Sequence, residues 1–180
     1  MGKKILVLAG SPRKNGNSDM LCEQFAVGAQ SAGHEVEKIY VSEQKIGYCK
    51  ACYFCEKTNK CFQDDDMTEI IEKLIDADVI VLATPTYYYS MSAQLKTLID
   101  RTLPTYYAEE KISDKEFYFI VTAAEEKEYI KRAVDSLYGF IDCLPNPNVR
   151  GIIYGESVLK AGEIKDSKAM QEAYDAGARV

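Results

Sequence analysis

The sequence predicts an α/β fold, a doubly wound parallel sheet of five strands with helices on both faces. Continuous apolar runs such as Ile5–Ala9 are typical of strands that are buried on both faces. Longer segments between these runs, such as Glu126–Ile141, carry apolar residues at helical spacing. With 180 residues, the chain has the length of a single domain with an ample core.

The first half of the chain supplies three of the strands. Its predicted elements are, in order, strand Lys4–Ala9, helix Ser18–Ala32, strand Glu35–Val41, an irregular cysteine-rich segment Ser42–Gln63, helix Met67–Ala77 and strand Val79–Thr84. The first helix carries Leu21 and Phe25 among its apolar positions, and Gly33 marks its end because glycine commonly follows a helix C-terminus.

The second half continues the same alternation. Its predicted elements are a tyrosine-rich loop Pro85–Ser92, helix Ala93–Leu103, strand Glu116–Thr122, helix Glu126–Ile141, strand Val149–Tyr154 and a final helix Ser167–Gly177. Ile130, Val134 and Leu137 lie on one stripe of the fourth helix, which indicates that one face of this helix is buried.

The charge balance narrows the range of partners. The chain has 22 basic and 28 acidic residues and a formal net charge of −6, which argues against nucleic acid or an anionic membrane as a main partner. No apolar run approaches the roughly 18 residues that span a bilayer, and the first strand begins where a signal peptide would lie. We therefore expect a cytoplasmic protein, in which the six cysteines do not form structural disulfides.

A doubly wound sheet binds its ligand at the carboxyl ends of the strands, where the loops Gly10–Ser18, Pro85–Ser92 and Thr122–Glu126 lie. The first loop lacks the Lys-Ser/Thr ending of a Walker A loop and the glycines of a dinucleotide fingerprint. A buried strand that leads through a Gly/Ser/Asn loop into a helix is typical of a phosphate site.

Four polar residues of this loop are candidates for binding phosphate. Ser11, Asn17 and Ser18 can donate hydrogen bonds, and Arg13 can add charge-assisted ones. The alternative is an ordinary strand-to-helix turn in which Ser18 or Asn17 caps the helix.

Two motifs resemble the NAD(P)H-dependent FMN reductases of the flavodoxin-like superfamily. The first is Gly-Ser-Pro-Arg-x-x-Gly-Asn-Ser (10–18), directly after the first strand. The second comprises Thr84-Pro85-Thr86-Tyr87, Ser92-Ala93-Gln94-Leu95-Lys96 and Asp100-Arg101. The resemblance implies a single flavodoxin-like FMN-binding domain over residues 1–180, with strand order 2-1-3-4-5.

The resemblance also implies residue roles. The FMN phosphate would be held by Ser11, Arg13, Asn17 and Ser18. The isoalloxazine ring would be lined by Pro85, Thr86, Tyr87 and Tyr88 and flanked on its other side by Thr122 and Ala123. Consecutive tyrosines cannot all face one way, so the alternative is that some of them cover the sheet edge or a subunit interface. No catalytic side chain is expected, because the flavin itself accepts the hydride.

Four cysteines are clustered in the irregular segment, as Cys49-x2-Cys52-x2-Cys55-x5-Cys61. In a cytoplasmic chain this clustering favours a metal site over disulfides. The spacing is similar to the compact [4Fe–4S] motif of the iron–sulfur flavoproteins, a branch of the same superfamily. Relatives tend to have glycine where this chain has Ala51 and Asn59. The alternative is a group of thiols that shapes the active site or a dimer interface.

Two functions from different classes follow. The first is an enzyme that passes hydride from NAD(P)H to FMN and on to a quinone, free flavin or another small-molecule acceptor. The second is an electron-transfer protein in which FMN exchanges electrons with the cluster and with an external carrier such as ferredoxin. By resemblance, we expect a homodimer or homotetramer. Of the remaining charged residues, Asp64–Asp66 are expected to cap the helix that begins at Met67, the alternative being a magnesium site. Arg101 is expected in an internal ion pair or a subunit contact.

Overall fold

A computed structural model describes residues 2–109 and 111–180 of the chain. Its strands are β1 (Lys4–Ala9), β2 (Glu35–Tyr40), β3 (Val79–Pro85), β4 (Glu116–Thr122) and β5 (Asn148–Gly155). Its α-helices are α1 (Asn17–Ser31), α2 (Phe54–Thr58), α3 (Met67–Asp76), α4 (Ala93–Asp100), α5 (Pro104–Tyr107), α6 (Lys127–Ile141) and α7 (Lys168–Ala178). Short 3₁₀ turns lie at Val41–Glu43 and Glu163–Asp166. No helix of the described residues is both long and apolar enough to cross a bilayer.

The strands form one sheet in the order β2-β1-β3-β4-β5, and every neighbouring pair is parallel. This order and the doubly wound class confirm the fold predicted from the sequence. The register aligns the strand ends, since Ala9 pairs with Ala83 and Thr122 pairs with both Pro85 and Gly155. The carboxyl ends of β1, β3 and β4 therefore open onto one edge of the sheet.

Alternate residues of each strand supply two hydrophobic cores, one on each face of the sheet. Leu6, Leu82 and Phe119 point to the face covered by α3, α4 and α6. Val7 and Val81 point to the opposite face, which α1 and α7 cover. The apolar runs thus form strands because both of their faces are removed from water.

Helices α1 and α7 cross at a contact that only glycine permits. A Cβ atom on Gly28 would lie 2.1 Å from the carbonyl oxygen of Tyr174, and one on Gly177 would lie 2.0 Å from that of Phe25. Both distances are far inside van der Waals contact, so the two helix backbones approach each other closely. This contact holds the C-terminal helix against the helix that begins at the first loop.

Most predicted element bounds lie within two residues of those observed, and two differences are larger. The helix predicted over Ala93–Leu103 ends at Asp100, and a separate short helix, α5, begins at Pro104, because proline cannot continue the helix that precedes it. The segment Ser42–Gln63, predicted to be irregular, contains the short helix α2. Since α2 has five residues, a helical period could not be recognised in the sequence.

Candidate functional site

A cleft of about 630 Å³ opens at the carboxyl ends of β1, β3 and β4. Nine of the ten residues expected to contact FMN line it, from three separate loops: Ser11, Arg13, Asn17, Ser18, Pro85, Thr86, Tyr87, Thr122 and Ala123. Ala124 and Glu125, from the predicted third loop, also line the cleft, as do Val158 and Leu159, which were not predicted. Val158 and Leu159 lie beyond the last strand, in a segment that the sequence motifs do not cover.

The first loop is packed tightly against the neighbouring strand. The Gly10 amide donates to the Ala83 carbonyl at 2.8 Å. A Cβ atom on Gly10 would lie 2.8 Å from the same oxygen, so glycine is required here for close approach. The Ser11 hydroxyl accepts a hydrogen bond from the Arg13 amide at 3.1 Å and so shapes the loop. The Arg13 side chain remains exposed at the cleft.

Helix α1 begins without a side-chain cap. Its N-cap is Gly16, and Asn17 is already the first residue of the helix, so the alternative of an Asn17 or Ser18 cap is wrong. The first amide groups of a helix have no partner within the helix and carry its positive dipole end. At Ser18 these groups lie beside the cleft and are suited to an anion.

The Asn17 side chain is bonded to the loop that follows β5. Its amide oxygen accepts from the Gly162 and Ile164 amides at 3.0 and 3.4 Å, and its Nδ2 donates to the Lys160 carbonyl at 3.0 Å. Both polar atoms thereby hold the loop that follows β5. The side chain is buried and hydrogen-bonded within the protein, and its contact with a phosphate stays a prediction.

A buried carboxylate, that of Asp19, supports the first loop. Asp19 accepts from the Asn15 amide at 2.7 Å and from the Lys38 ammonium at 2.9 Å, and its side chain is 3% exposed. Lys38 also pairs with Glu23. Burial opposes the charge on Lys38, but its hydrogen bonds to Glu23, Tyr40 and Asp19 outweigh burial and raise its pKa. The ammonium thus offsets the negative charge of Asp19 beneath the loop.

One buried hydroxyl fixes the second loop to the first, and a second one fixes it to the end of β3. Ser92 donates from its hydroxyl to the Gly10 carbonyl at 2.7 Å and from its amide to the Thr84 hydroxyl at 2.8 Å. The Thr86 amide donates to the Thr122 carbonyl at 2.7 Å, which joins this loop to the end of β4. These bonds hold the three strand ends in one arrangement.

The second loop presents one buried hydroxyl group that is relevant to ligand binding. The Thr86 hydroxyl is buried and has no hydrogen-bond partner among the described residues. An unpaired buried hydroxyl is costly in a native protein unless a ligand or water satisfies it. It lies on the cleft, at the position where the sequence predicts the flavin ring.

The three consecutive tyrosines of the second loop, Tyr87 to Tyr89, have different surroundings. Tyr87 lines the cleft, and its amide and carbonyl pair with Ser90 in a tight turn. Tyr88 and Tyr89 have φ values of 49° and 60° in that turn. The structure does not bring Tyr88 to the cleft, since its side chain is fully exposed. Tyr89 packs against the Tyr129 ring at 6.0 Å, outside the cleft.

The third loop is tied to the last strand. The Ala123 amide donates to the Gly155 carbonyl at 2.9 Å, and the Ala123 carbonyl accepts from the Val158 amide at 2.8 Å. These bonds bring the segment after β5 to the cleft.

The four clustered cysteines line a second cavity, of about 350 Å³, together with Arg101, Leu103 and Pro104. All four are free thiols. Burial, and secondarily the neighbouring thiols, raises the pKa of Cys55. Among the described residues, no three Cys, His, Asp or Glu side chains converge closely enough for a single metal ion. The arrangement therefore does not match a preformed zinc site, in which all ligands meet one ion.

Three non-glycine residues of the cysteine segment have left-handed backbones: Ala51, Tyr53 and Asn59, with φ of 48°, 55° and 57°. Each such residue costs roughly 1–2 kcal/mol unless its side chain compensates, as asparagine can. The Ala51 and Asn59 side chains are both exposed; Ala51 lines the cavity, and Asn59 does not.

An ion pair anchors this segment. Arg101 binds Asp65 through two hydrogen bonds of 2.7 and 2.9 Å and donates to the Gly47 carbonyl at 2.7 Å. Asp65 also accepts from the Met67 amide at 3.2 Å, whereas Asp66, the N-cap residue of α3, makes no side-chain cap hydrogen bond. Burial alone would raise the pKa of Asp65, but its bonds with Arg101 and the Gly47 amide lower it. The expected internal ion pair of Arg101 is thus present.

Similar proteins fall into two groups. An Archaeoglobus fulgidus protein named iron-sulfur flavoprotein is 41% identical over 101 residues, which are 56% of this chain and 46% of that protein. A Methanosarcina thermophila protein of the same name is 39% identical over 100 residues, 56% of this chain and 52% of its own. The chain thus spans about half the length of these curated relatives.

A Bacillus subtilis relative, whose name proposes an NAD(P)H-dependent FMN-containing oxidoreductase, is 25% identical over 94% of both chains. Among solved structures, an azoreductase from Bacillus anthracis superposes with a TM-score of 0.76 at 17% identity, covering 99% of this chain and 100% of its own. An NAD(P)H:quinone oxidoreductase from Methanothermobacter marburgensis gives 0.74 at 17% identity, covering 99% and 97%. At this identity the two structures establish the fold alone.

The sequence model of one family, described as NADPH-dependent FMN reductase, matches residues 3–144. This range contains both sequence motifs and the cysteine segment. It confirms the resemblance, and with it FMN and NAD(P)H as the cofactor and cosubstrate of the family. The chain therefore belongs to the NADPH-dependent FMN reductase family.

Proposed function

We propose that the protein is an FMN-dependent oxidoreductase, which passes hydride from NAD(P)H to the flavin and electrons on to a quinone, free flavin or another small-molecule acceptor. The observation that carries this proposal is the single cleft at the strand ends, lined from three loops by nine of the residues expected from the family motifs. Family membership supports the reaction class.

The phosphate end of the cofactor would lie at the first loop. Ser18 contributes a backbone amide at the uncapped start of α1, and Arg13 contributes an exposed positive charge. The chain as a whole is acidic, with a formal net charge of −6, so attraction of a phosphate must be local. The Lys38 ammonium contributes to this by offsetting the Asp19 carboxylate beneath the loop.

The ring would lie between the second and third loops. The unpaired Thr86 hydroxyl fits a hydrogen bond to the polar edge of the ring, and Pro85 and Tyr87 supply apolar and aromatic contact. Thr122 and Ala123 close the other side. Bound FMN supplies the hydride chemistry at its N5 atom. The protein residues therefore position the flavin and need no acid–base side chain.

Anaerobic reduction tests this function. Protein reconstituted with FMN is mixed with NADH or NADPH, and the visible absorbance of the flavin is followed. Bleaching within minutes, faster than for free FMN at the same concentration, is expected. If the bound flavin is not bleached by either nucleotide but is bleached by dithionite, the protein binds flavin without being a reductase of this kind.

A second candidate is an iron–sulfur flavoprotein that transfers electrons, with a [4Fe–4S] cluster on Cys49, Cys52, Cys55 and Cys61. Two observations favour it: the four thiols line one cavity, and several relatives carry that name. The donor set fits, because a cube spreads its thiolates over four irons and needs no convergence on one ion. Iron and acid-labile sulfide assays on protein purified without oxygen test it, and flavin bands without iron or sulfide contradict it.

The proposal also covers the domain organisation, the oligomeric state, the cellular location and the external carrier. We take residues 1–180 as one flavodoxin-like FMN-binding domain that acts in the cytoplasm as a homodimer or homotetramer. Ferredoxin is the external carrier in the electron-transfer candidate. The exposed aromatic side chains of Tyr53, Phe54 and Phe62 beside the cysteine pocket are available for contact with a second subunit or a carrier.

A further inference from the structure

The cysteine pocket contains one buried positive charge. Arg101 follows α4 directly, lines the cavity together with all four clustered cysteines, and has a side chain that is 1% exposed. A guanidinium is seldom buried without a specific set of partners, because removing its charge from water is costly. Its partners therefore indicate what the side chain does in the pocket.

Those partners satisfy only part of the guanidinium. One terminal nitrogen donates to Asp65 and to the Gly47 carbonyl, and the other donates to Asp65. The Nε–H group is buried and has no acceptor among the described residues. Leaving such a donor unpaired costs about 1–3 kcal/mol, and more for a charged group. An acceptor for Nε–H is thus expected inside the pocket.

The cysteine sulfurs are the soft acceptors of this pocket, since all four clustered cysteines line the same cavity as Arg101. Gln63 adds a second donor, with its Nε2 atom 4.0 Å from the Cys61 sulfur. A cluster held by the four cysteines would therefore lie in the cavity that the buried Arg101 also lines.

We propose that Arg101 is a positioning residue whose Nε–H group donates to the sulfur side of an iron–sulfur cluster held by the four cysteines, and that it raises the reduction potential of that cluster. The proposal rests on the second candidate function. Four thiolates leave such a cluster with net negative charge, and reduction makes this charge larger. A nearby cation and N–H donors stabilise the more negative state, whereas the Asp65 carboxylate opposes them.

This account predicts opposite effects for the two members of the ion pair. Replacing Arg101→Gln removes the cation and the Nε–H donor, so the cluster potential falls. Replacing Asp65→Asn leaves the guanidinium uncompensated, so the potential rises. A loss of loop anchoring alone would instead affect both variants in the same way, because each breaks the same pair. Asp76→Asn is the matched control, since it breaks the exposed Lys4–Asp76 pair on α3, outside the pocket.

The measurement is a spectroelectrochemical titration of oxygen-protected, cluster-loaded full-length protein, together with iron and sulfide content. A lower potential for Arg101→Gln, a higher one for Asp65→Asn and no change for Asp76→Asn are expected. Shifts in the same direction, or no shift in either variant that retains its cluster, overturn the role of Arg101.

If Arg101→Gln does not fold or loses its cluster, Asp65→Asn decides alone, and an unchanged or lower potential overturns the proposal. A lack of iron and sulfide in the unchanged protein overturns this proposal together with the electron-transfer candidate. FMN binding, measured on the same sample, then shows whether the proposed flavin enzyme survives.

Discussion

At the scale of single residues, some side chains of the cleft are hydrogen-bonded within the protein, and others are free to contact a ligand. Ser11, Asn17 and Arg13 all belong to one loop, yet the first two are engaged in hydrogen bonds within the protein. Arg13 is the exposed one. The division follows from burial, because a buried polar side chain must find a partner in the fold, whereas an exposed one is free to meet a ligand.

Arg13→Ala is expected to weaken FMN binding about tenfold, which corresponds to about 1.4 kcal/mol for one charge-assisted hydrogen bond. Fluorescence titration of FMN measures this. Arg150→Ala is the control, because Arg150 is exposed and lies near the amino end of β5, away from the carboxyl ends of the strands where the cleft opens. Equal dissociation constants for the two variants would contradict a phosphate contact by Arg13.

Asn17→Ala is expected to destabilise the protein by about 2 kcal/mol, since it leaves the Gly162 amide and the Lys160 carbonyl without their partner. Urea unfolding measures the free energy. Asn148→Ala, at an exposed position that starts β5, serves as the comparison and should change stability little. A stable Asn17→Ala protein that has lost only its FMN affinity would instead favour a direct phosphate contact.

At the scale of elements, the crossing of α1 and α7 is the most demanding contact in the fold. Gly177→Ala places a methyl group against the Phe25 carbonyl, so we expect destabilisation by about 1–3 kcal/mol or more. Gly139→Ala in α6 is the matched control, because nothing lies within 4 Å of the added atom. There the change should stabilise the helix by up to about 1 kcal/mol. Thermal unfolding of both variants tests the contact, and equal melting temperatures would contradict it.

The anchor between Asp65 and α4 makes stability depend on pH. The pKa of Asp65 is lower in the folded protein than its ordinary value of 3.8, so the folded state binds its proton less readily than the unfolded state. The stabilisation is therefore complete above about pH 4 and is lost as the pH falls below it. Urea unfolding at pH 3 to 6 should show a smaller acid loss of stability in Asp65→Asn. Identical profiles for the two proteins would contradict the anchor.

At the scale of the whole molecule, the sequence predicted the sheet and most of the cleft because both depend on local patterns. Apolar runs such as Val79–Thr84 specify buried strands, and parallel topology then brings the loops after β1, β3 and β4 together. The pairing of Asn17 with the Gly162 loop could not be predicted in this way, since 145 residues separate them. The outward position of Tyr88 depends on a left-handed turn that tyrosines do not signal.

The cysteine pocket was also predictable from the sequence only in part. The spacing of the four cysteines predicted that they act together, and they line one cavity. The partner of Arg101 was not evident, because three adjacent aspartates, Asp64 to Asp66, offered equivalent charges. Only the folded segment distinguishes Asp65, whose two oxygens face the guanidinium.

The central claim is that the cleft at the strand ends binds FMN through its phosphate. A fluorescence titration of the purified protein with FMN, run in parallel with riboflavin, tests it most directly. We expect saturable binding of one FMN per chain and at least about tenfold weaker binding of riboflavin, because the latter lacks the phosphate that meets Arg13 and the start of α1. Equal affinities for the two flavins, or no saturable binding of FMN, would contradict the claim.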